Sequence, residues 1–104
     1  MSPKRPKIDR SDRRNRNKLM VYGTKLTAAR INAGLSGSEV ARRLGCNKGH
    51  ITKWETELLT PSEERLFKLI EMYGTTDFLD WNSLDLERLA ELGAKVKEIT
   101  EGKR

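Results

Sequence analysis

Residues 36–56, SGSEVARRLGCNKGHITKWET, limit what this chain can fold into more than any other stretch. Ser36 followed three residues later by Glu39 is a capping box, Gly45 suits the left-handed residue that closes a helix, and Asn47 is a good cap for the next one. The spacing predicts two helices of barely two turns each, too short to persist in water on their own. They must be held by packing, and the residues available for it are Val40, Ala41 and Leu44 in the first and Ile51 and Trp54 in the second. Lys48, Gly49, Thr52 and Lys53 then fall on the outer face, which is cationic and sparse in side chains.

The flanking sequence supplies the packing partners. Leu19, Tyr22, Leu26, Ala29 and Ala33 recur at steps of three and four, which predicts a preceding helix from residue 19 that Gly34 ends. Thr60-Pro61-Ser62-Glu63 reads as a cap, a proline at the first helical position and a capping-box glutamate. Leu66, Phe67, Leu69, Ile70 and Tyr73 follow as a broad apolar face up to Gly74. Asp77 to Trp81 is expected to form a turn of helix, and Leu84 to Thr100 a last helix striped by Leu89, Leu92, Val96 and Ile99. No stretch of alternating β-branched residues competes, so the class is all-α.

Charge is distributed unevenly along the 104 residues, with +6 over residues 1–18, +4 over 19–56 and −4 over 57–104. The front cations are Lys4, Arg5, Lys7, Arg10, Arg13, Arg14, Arg16 and Lys18, accompanied by two prolines and almost no apolar side chains. Such a segment cannot bury enough surface to offset the entropy of ordering, so a disordered basic arm is expected. A positive front and negative back orient a molecule in the field of a polyanion, and nucleic acid is the polyanion this favours. With 36% hydrophobic and 35% charged residues and no long apolar run, neither a membrane span nor a secretory signal is expected, and the location expected is cytoplasmic, at the nucleoid when bound to DNA. One cysteine, Cys46, and one histidine, His50, supply neither an intramolecular disulfide nor a zinc site, and no cofactor is implied. No catalytic Ser/His/Asp set, phosphate loop or carboxylate pair stands out, so the chain is not read as an enzyme.

Two short helices joined by a tight glycine-containing turn, the second basic on its outer face, form the layout of a helix-turn-helix. Within GSEVARRLGCNKGHITKWET, Ala41 is small where the helices cross and Gly45 turns the chain. The run from about Tyr22 to Gly74 resembles the phage-repressor-like, or XRE-type, helix-turn-helix family. GLSGSEVARRLGCNKGHITKWE with TPSEERLFKLIEMYGTTD is particularly similar to the N-terminal domain of actinobacterial XRE-type regulators, which usually continue into a second domain absent from this sequence. The resemblance implies a small four- to five-helix repressor-like bundle that reads double-stranded DNA with the helix at about 47–56, most simply as a repressor. It also implies an ion pair between Arg30 and Glu55. Two positions depart from the family pattern. Gly37 stands where a phosphate-touching glutamine is common, and Thr56-Glu57 replaces Asn-Gly, which would set a carboxylate near the DNA backbone and displace that loop.

Residues 1–18 are thus expected to be the arm, 19–76 the DNA-binding domain, and 77–104 a helical extension able to support dimerisation. Lys48 and Lys53 can donate to guanine O6 and N7, Thr52 can offer a methyl or hydroxyl, and Gly49 lets the backbone approach the groove. His50 is either a further base or phosphate contact or a packed structural residue. Ser36, Ser38, Asn47 and Thr56 are candidate phosphate contacts, as are Arg42 and Arg43 unless these only face solvent. Cys46 is read as packing instead of a redox sensor. The stripe Leu89, Leu92, Val96 and Ile99 is either a homodimer surface or part of the intramolecular core. Two other readings remain open: an antitoxin or adaptor that binds a protein partner through the same fold, and an RNA-binding protein led by its arginine-rich arm.

Overall fold

The computed structural model describes residues 17–101, in the order β1 (Met20–Val21), α1 (Gly23–Asn32), α2 (Gly37–Leu44), α3 (Lys48–Glu55), α4 (Glu63–Tyr73), β2 (Leu79–Asp80) and α5 (Leu86–Glu101). The core gathers Leu26 and Ala29 from α1, Val40 and Ala41 from α2, Ile51 and Trp54 from α3, and Leu66, Leu69, Ile70 and Tyr73 from α4. Phe78, fully buried, meets Tyr73 edge-on with ring centroids 6.0 Å apart. Burial first, and the Glu55 carboxylate second, push the Tyr73 hydroxyl well above the ordinary tyrosine range, so it stays neutral. Among the described residues no helix is long and apolar enough to cross a membrane, and no His/Cys/Asp/Glu group is arranged to hold a metal.

Three expectations about local structure are corrected. The first helix begins at Gly23 and not at Leu19, because Leu19, Met20 and Val21 are buried in succession, which an extended strand permits and one helical face does not. Met20 pairs with Asp80 and Val21 with Leu79 in an antiparallel ribbon, so the stretch read as a turn of helix at 77–81 is its second strand. The cap of α4 is Ser62, whose hydroxyl accepts from the Arg65 amide at 3.3 Å, with Thr60 and Pro61 left in the preceding loop.

On α5 the stripe follows the intramolecular alternative: Leu92 and Val96 are buried and the partly buried Ile99 packs against the same core, on the α4 side of the domain. Burying a side chain of this size contributes about 1.5–3 kcal/mol, far more than exposure on a monomer would. Arg88 adds ion pairs to Glu63 at the start of α4 and to Glu91 within α5. Of the stripe only Leu89 remains exposed, beside the fully projecting Leu86.

The cationic arm falls at residues 1–16, outside the described residues, apart from its root. Asn17 donates its amide to the Ser83 carbonyl at 2.7 Å and its side chain to Asp85 Oδ2 at 2.8 Å, while the Asp85 amide donates back to Asn17 Oδ1 at 2.7 Å. The Ser83 hydroxyl donates to the Lys18 carbonyl. Positions 17 and 18, grouped above with the arm, are therefore tied to the loop that leads into α5.

Candidate nucleic-acid interface

Helices α2 and α3 are set by the residues that the sequence uses as punctuation. The Ser36 hydroxyl accepts from the Glu39 amide at 3.1 Å and Asn47 Oδ1 accepts from the His50 amide at 3.2 Å. Between them Gly45 takes the left-handed conformation, φ 73°, which lets α2 end and α3 leave in a new direction within three residues. Val40, Ala41, Ile51 and Trp54 are buried, so rotation of either helix about its axis would expose apolar surface.

The pair is fastened to α1 at two points. Arg30 Nε donates to Glu55 Oε2 at 2.6 Å and a second guanidinium nitrogen donates to Oε1 at 3.2 Å, while the third reaches the Leu35 carbonyl at 3.0 Å. One planar side chain thereby holds the end of α3 and the segment entering α2. The hydrogen bond that Arg30 donates to Glu55 raises the Arg30 pKa further, against the opposing effect of burial, so the guanidinium is charged at any working pH. At the other end of α1, Gly23 lies so close to α3 that a Cβ there would come 2.2 Å from the Glu55 carbonyl oxygen, and its amide donates to Glu57 Oε2 at 2.8 Å.

That second contact revises the reading of Glu57. The carboxylate accepts at the positive N-terminal end of α1, and the residue takes φ 62° there, so it is engaged within the fold. Nothing in the local pattern signals this contact, because its partner is 34 residues away.

The candidate base-reading residues Lys48, Gly49, Thr52 and Lys53 are all exposed on one side of α3. Among the described residues neither lysine has a carboxylate partner. Lys48 lies against the gap at Gly37: a Cβ there would sit 3.7 Å from two of its methylene carbons, so lysine stem covers the spot where the family pattern has a glutamine. His50 is half-buried, its Nδ1 3.0 Å from Asn47 Oδ1 and its ring 6.4 Å from that of Trp54.

The candidate phosphate contacts divide into two groups. Ser36, Ser38 and Asn47 stand at the N-termini of α2 and α3, where free amides and the helix dipole favour an anion. Arg42 and Arg43 lie 3.9 and 3.6 Å from Glu39, but both are half or more exposed, so the pairs contribute at most about 1 kcal/mol and leave donors available. The Thr56 hydroxyl donates to the Thr52 carbonyl at 2.8 Å, which closes α3 and leaves its oxygen as an acceptor, a poor match for a phosphate. Arg65, in the first turn of α4, sets its guanidinium 5.8 Å from the centroid of the Trp54 ring, on the side by which α3 is packed.

No curated protein and no solved structure matches the chain. The family model described as helix-turn-helix does, over residues 26–80, a span that runs from α1 through the α2–α3 pair and α4 to β2. With the motif's turn, caps and basic outer helix in place across more than half of its length, the chain belongs to the XRE-type helix-turn-helix family of DNA-binding regulators.

Proposed function

We propose that this protein is a sequence-specific transcriptional regulator that inserts α3 into the major groove of duplex DNA and represses by occupying its operator. The observation that carries the reading is the outer face of α3: Lys48 and Lys53 are exposed and without carboxylate partners among the described residues, while Ile51 and Trp54 fix the helix from behind. Unpaired cations on a rigid helix are pre-oriented donors for guanine O6 and N7, and glycine between them admits close approach. Ser36, Ser38, Asn47, Arg42 and Arg43 flank that face and would hold phosphates on either side of the groove.

The arm adds non-specific affinity in this reading. Its root at Lys18 borders a cleft shared with Thr60, Pro61, Ser62 and Glu63, between the end of α3 and the start of α4. A single α3 reads only a few base pairs, and we propose that a second copy doubles the site by docking on the exposed edge of α5 formed by Leu86 and Leu89, with open space above Gly93 between neighbouring turns. Selection of bound fragments from random duplexes tests both ideas. An enriched palindrome with half-sites about 34 Å apart is expected. Failure to enrich any duplex would overturn the DNA reading, and an asymmetric half-site bound by a monomer would overturn the dimer.

A further inference from the structure

The cap of α3 determines the chemistry of its only imidazole. A backbone amide can donate but not accept, so the atom of Asn47 that receives the His50 amide at 3.2 Å must be the carboxamide oxygen, and the orientation of that side chain is fixed. The same oxygen stands 3.0 Å from His50 Nδ1. Oxygen offers only lone pairs here, so the hydrogen bond requires the proton on Nδ1. Gly49 makes room for this doubly used oxygen, since a Cβ at that position would press to 3.1 Å from it.

We infer that neutral His50 is held by Asn47 as its Nδ1–H tautomer, and that the bare Nε2 reads an exocyclic amine of adenine or cytosine in the major groove. The inference rests on α3 being the DNA-reading helix. It gives α3 a function its neighbours lack: Lys48 and Lys53 only donate and therefore select guanine acceptors, whereas an imidazole with a fixed lone pair selects an amine. Helical spacing sets His50 three residues before Lys53, so the two would read adjacent bases with opposite polarity. Asn47 is then a positioning residue, whose carboxamide oxygen sets the tautomer while its nitrogen remains for a phosphate.

The test is in two arms. Long-range proton–nitrogen correlation of the free, full-length protein at about pH 8, where imidazole is neutral, should show Nε2 unprotonated and Nδ1 protonated, the reverse of the form that free histidine side chains favour. Asn47→Asp keeps an acceptor oxygen and should retain this pattern; Asn47→Ser still caps the helix but is too short to reach Nδ1 and should lose it. In random-duplex selection the wild type should prefer adenine or cytosine about tenfold at one position, and His50→Ala should lose that preference alone. Protonated Nε2 in the wild type, or the same pattern in Asn47→Ser, overturns the tautomer assignment whether or not DNA binds. A correct tautomer with the base preference unchanged in His50→Ala overturns the reading of the amine, and failure to select any duplex instead counts against α3 as the reading helix.

Discussion

Replacing Arg30 by methionine should destabilise the domain more than any exposed charge removal. The side chains of Arg30 and Glu55 are 18% and 12% exposed, and the guanidinium makes three hydrogen bonds, two to the carboxylate and one to the Leu35 carbonyl. Its removal leaves a largely desolvated carboxylate without its counter-charge and a carbonyl short of a donor, a combination that costs about 2–4 kcal/mol. At about 4–8 °C per kcal/mol for a domain of this size, the melting temperature should fall by roughly 10–30 °C. Glu55→Gln retains an acceptor for the guanidinium and should cost less. The double variant should be less destabilised than the sum of the singles, with a coupling of about 1–3 kcal/mol in a denaturant-melt cycle. Arg30→Lys cannot serve both the carboxylate fork and the Leu35 carbonyl and should recover only part of the loss. A wild-type melting temperature for Arg30→Met, or additive single-variant effects, would refute the claim that this pair fastens α3 to α1.

Gly23→Ala places a Cβ 2.2 Å from the Glu55 carbonyl oxygen, so α1 must move off α3; a loss of at least about 2 kcal/mol is expected in chemical denaturation, with impaired DNA binding. The Arg88 amide, followed by the Asn17 side chain, holds the Asp85 carboxyl below its ordinary pKa. Its contribution to stability is therefore present above the unfolded carboxylate pKa of about 3.9 and is lost as pH falls through the lower folded value. In a carboxyl-carbon NMR titration Asn17→Ala should raise the Asp85 midpoint. Deleting residues 1–16 should flatten the slope of log affinity against log salt while leaving the preferred sequence unchanged, because such an arm would act through phosphates and released counterions. An unaltered slope would make the arm a bystander to binding.

What was legible in the sequence is what local rules govern. Ser36, Gly45 and Asn47 mark helix ends through bonds that span three residues, and the structure forms those ends where the residues stand. The ribbon of β1 and β2 was not legible, since two-residue strands are too short to alternate and are made by pairing across 60 positions. Periodicity in α5 correctly selects Leu92, Val96 and Ile99 as one apolar stripe; it carries no information about whether α4 or another chain covers them. Glu57 illustrates the same limit for charge. Its proximity to α3 in sequence suggested repulsion from DNA, and its actual partner is the amide of Gly23, brought close only by the tertiary fold. Arg65 carries no local signal of its contact with Trp54, which only the tertiary fold creates.

The central claim is that duplex DNA meets this molecule at α3 and the N-terminal end of α2. Amide NMR of the labelled protein, titrated with a duplex recovered by selection, tests it residue by residue. The account predicts saturable shifts concentrated at residues 36–38 and 47–56, with the C-terminal turns of α5 unmoved, and loss of about 1–3 kcal/mol of specific affinity in Lys48→Ala or Lys53→Ala. Shifts centred on α5 with α3 silent, or undiminished affinity and site preference in both lysine variants, would contradict it.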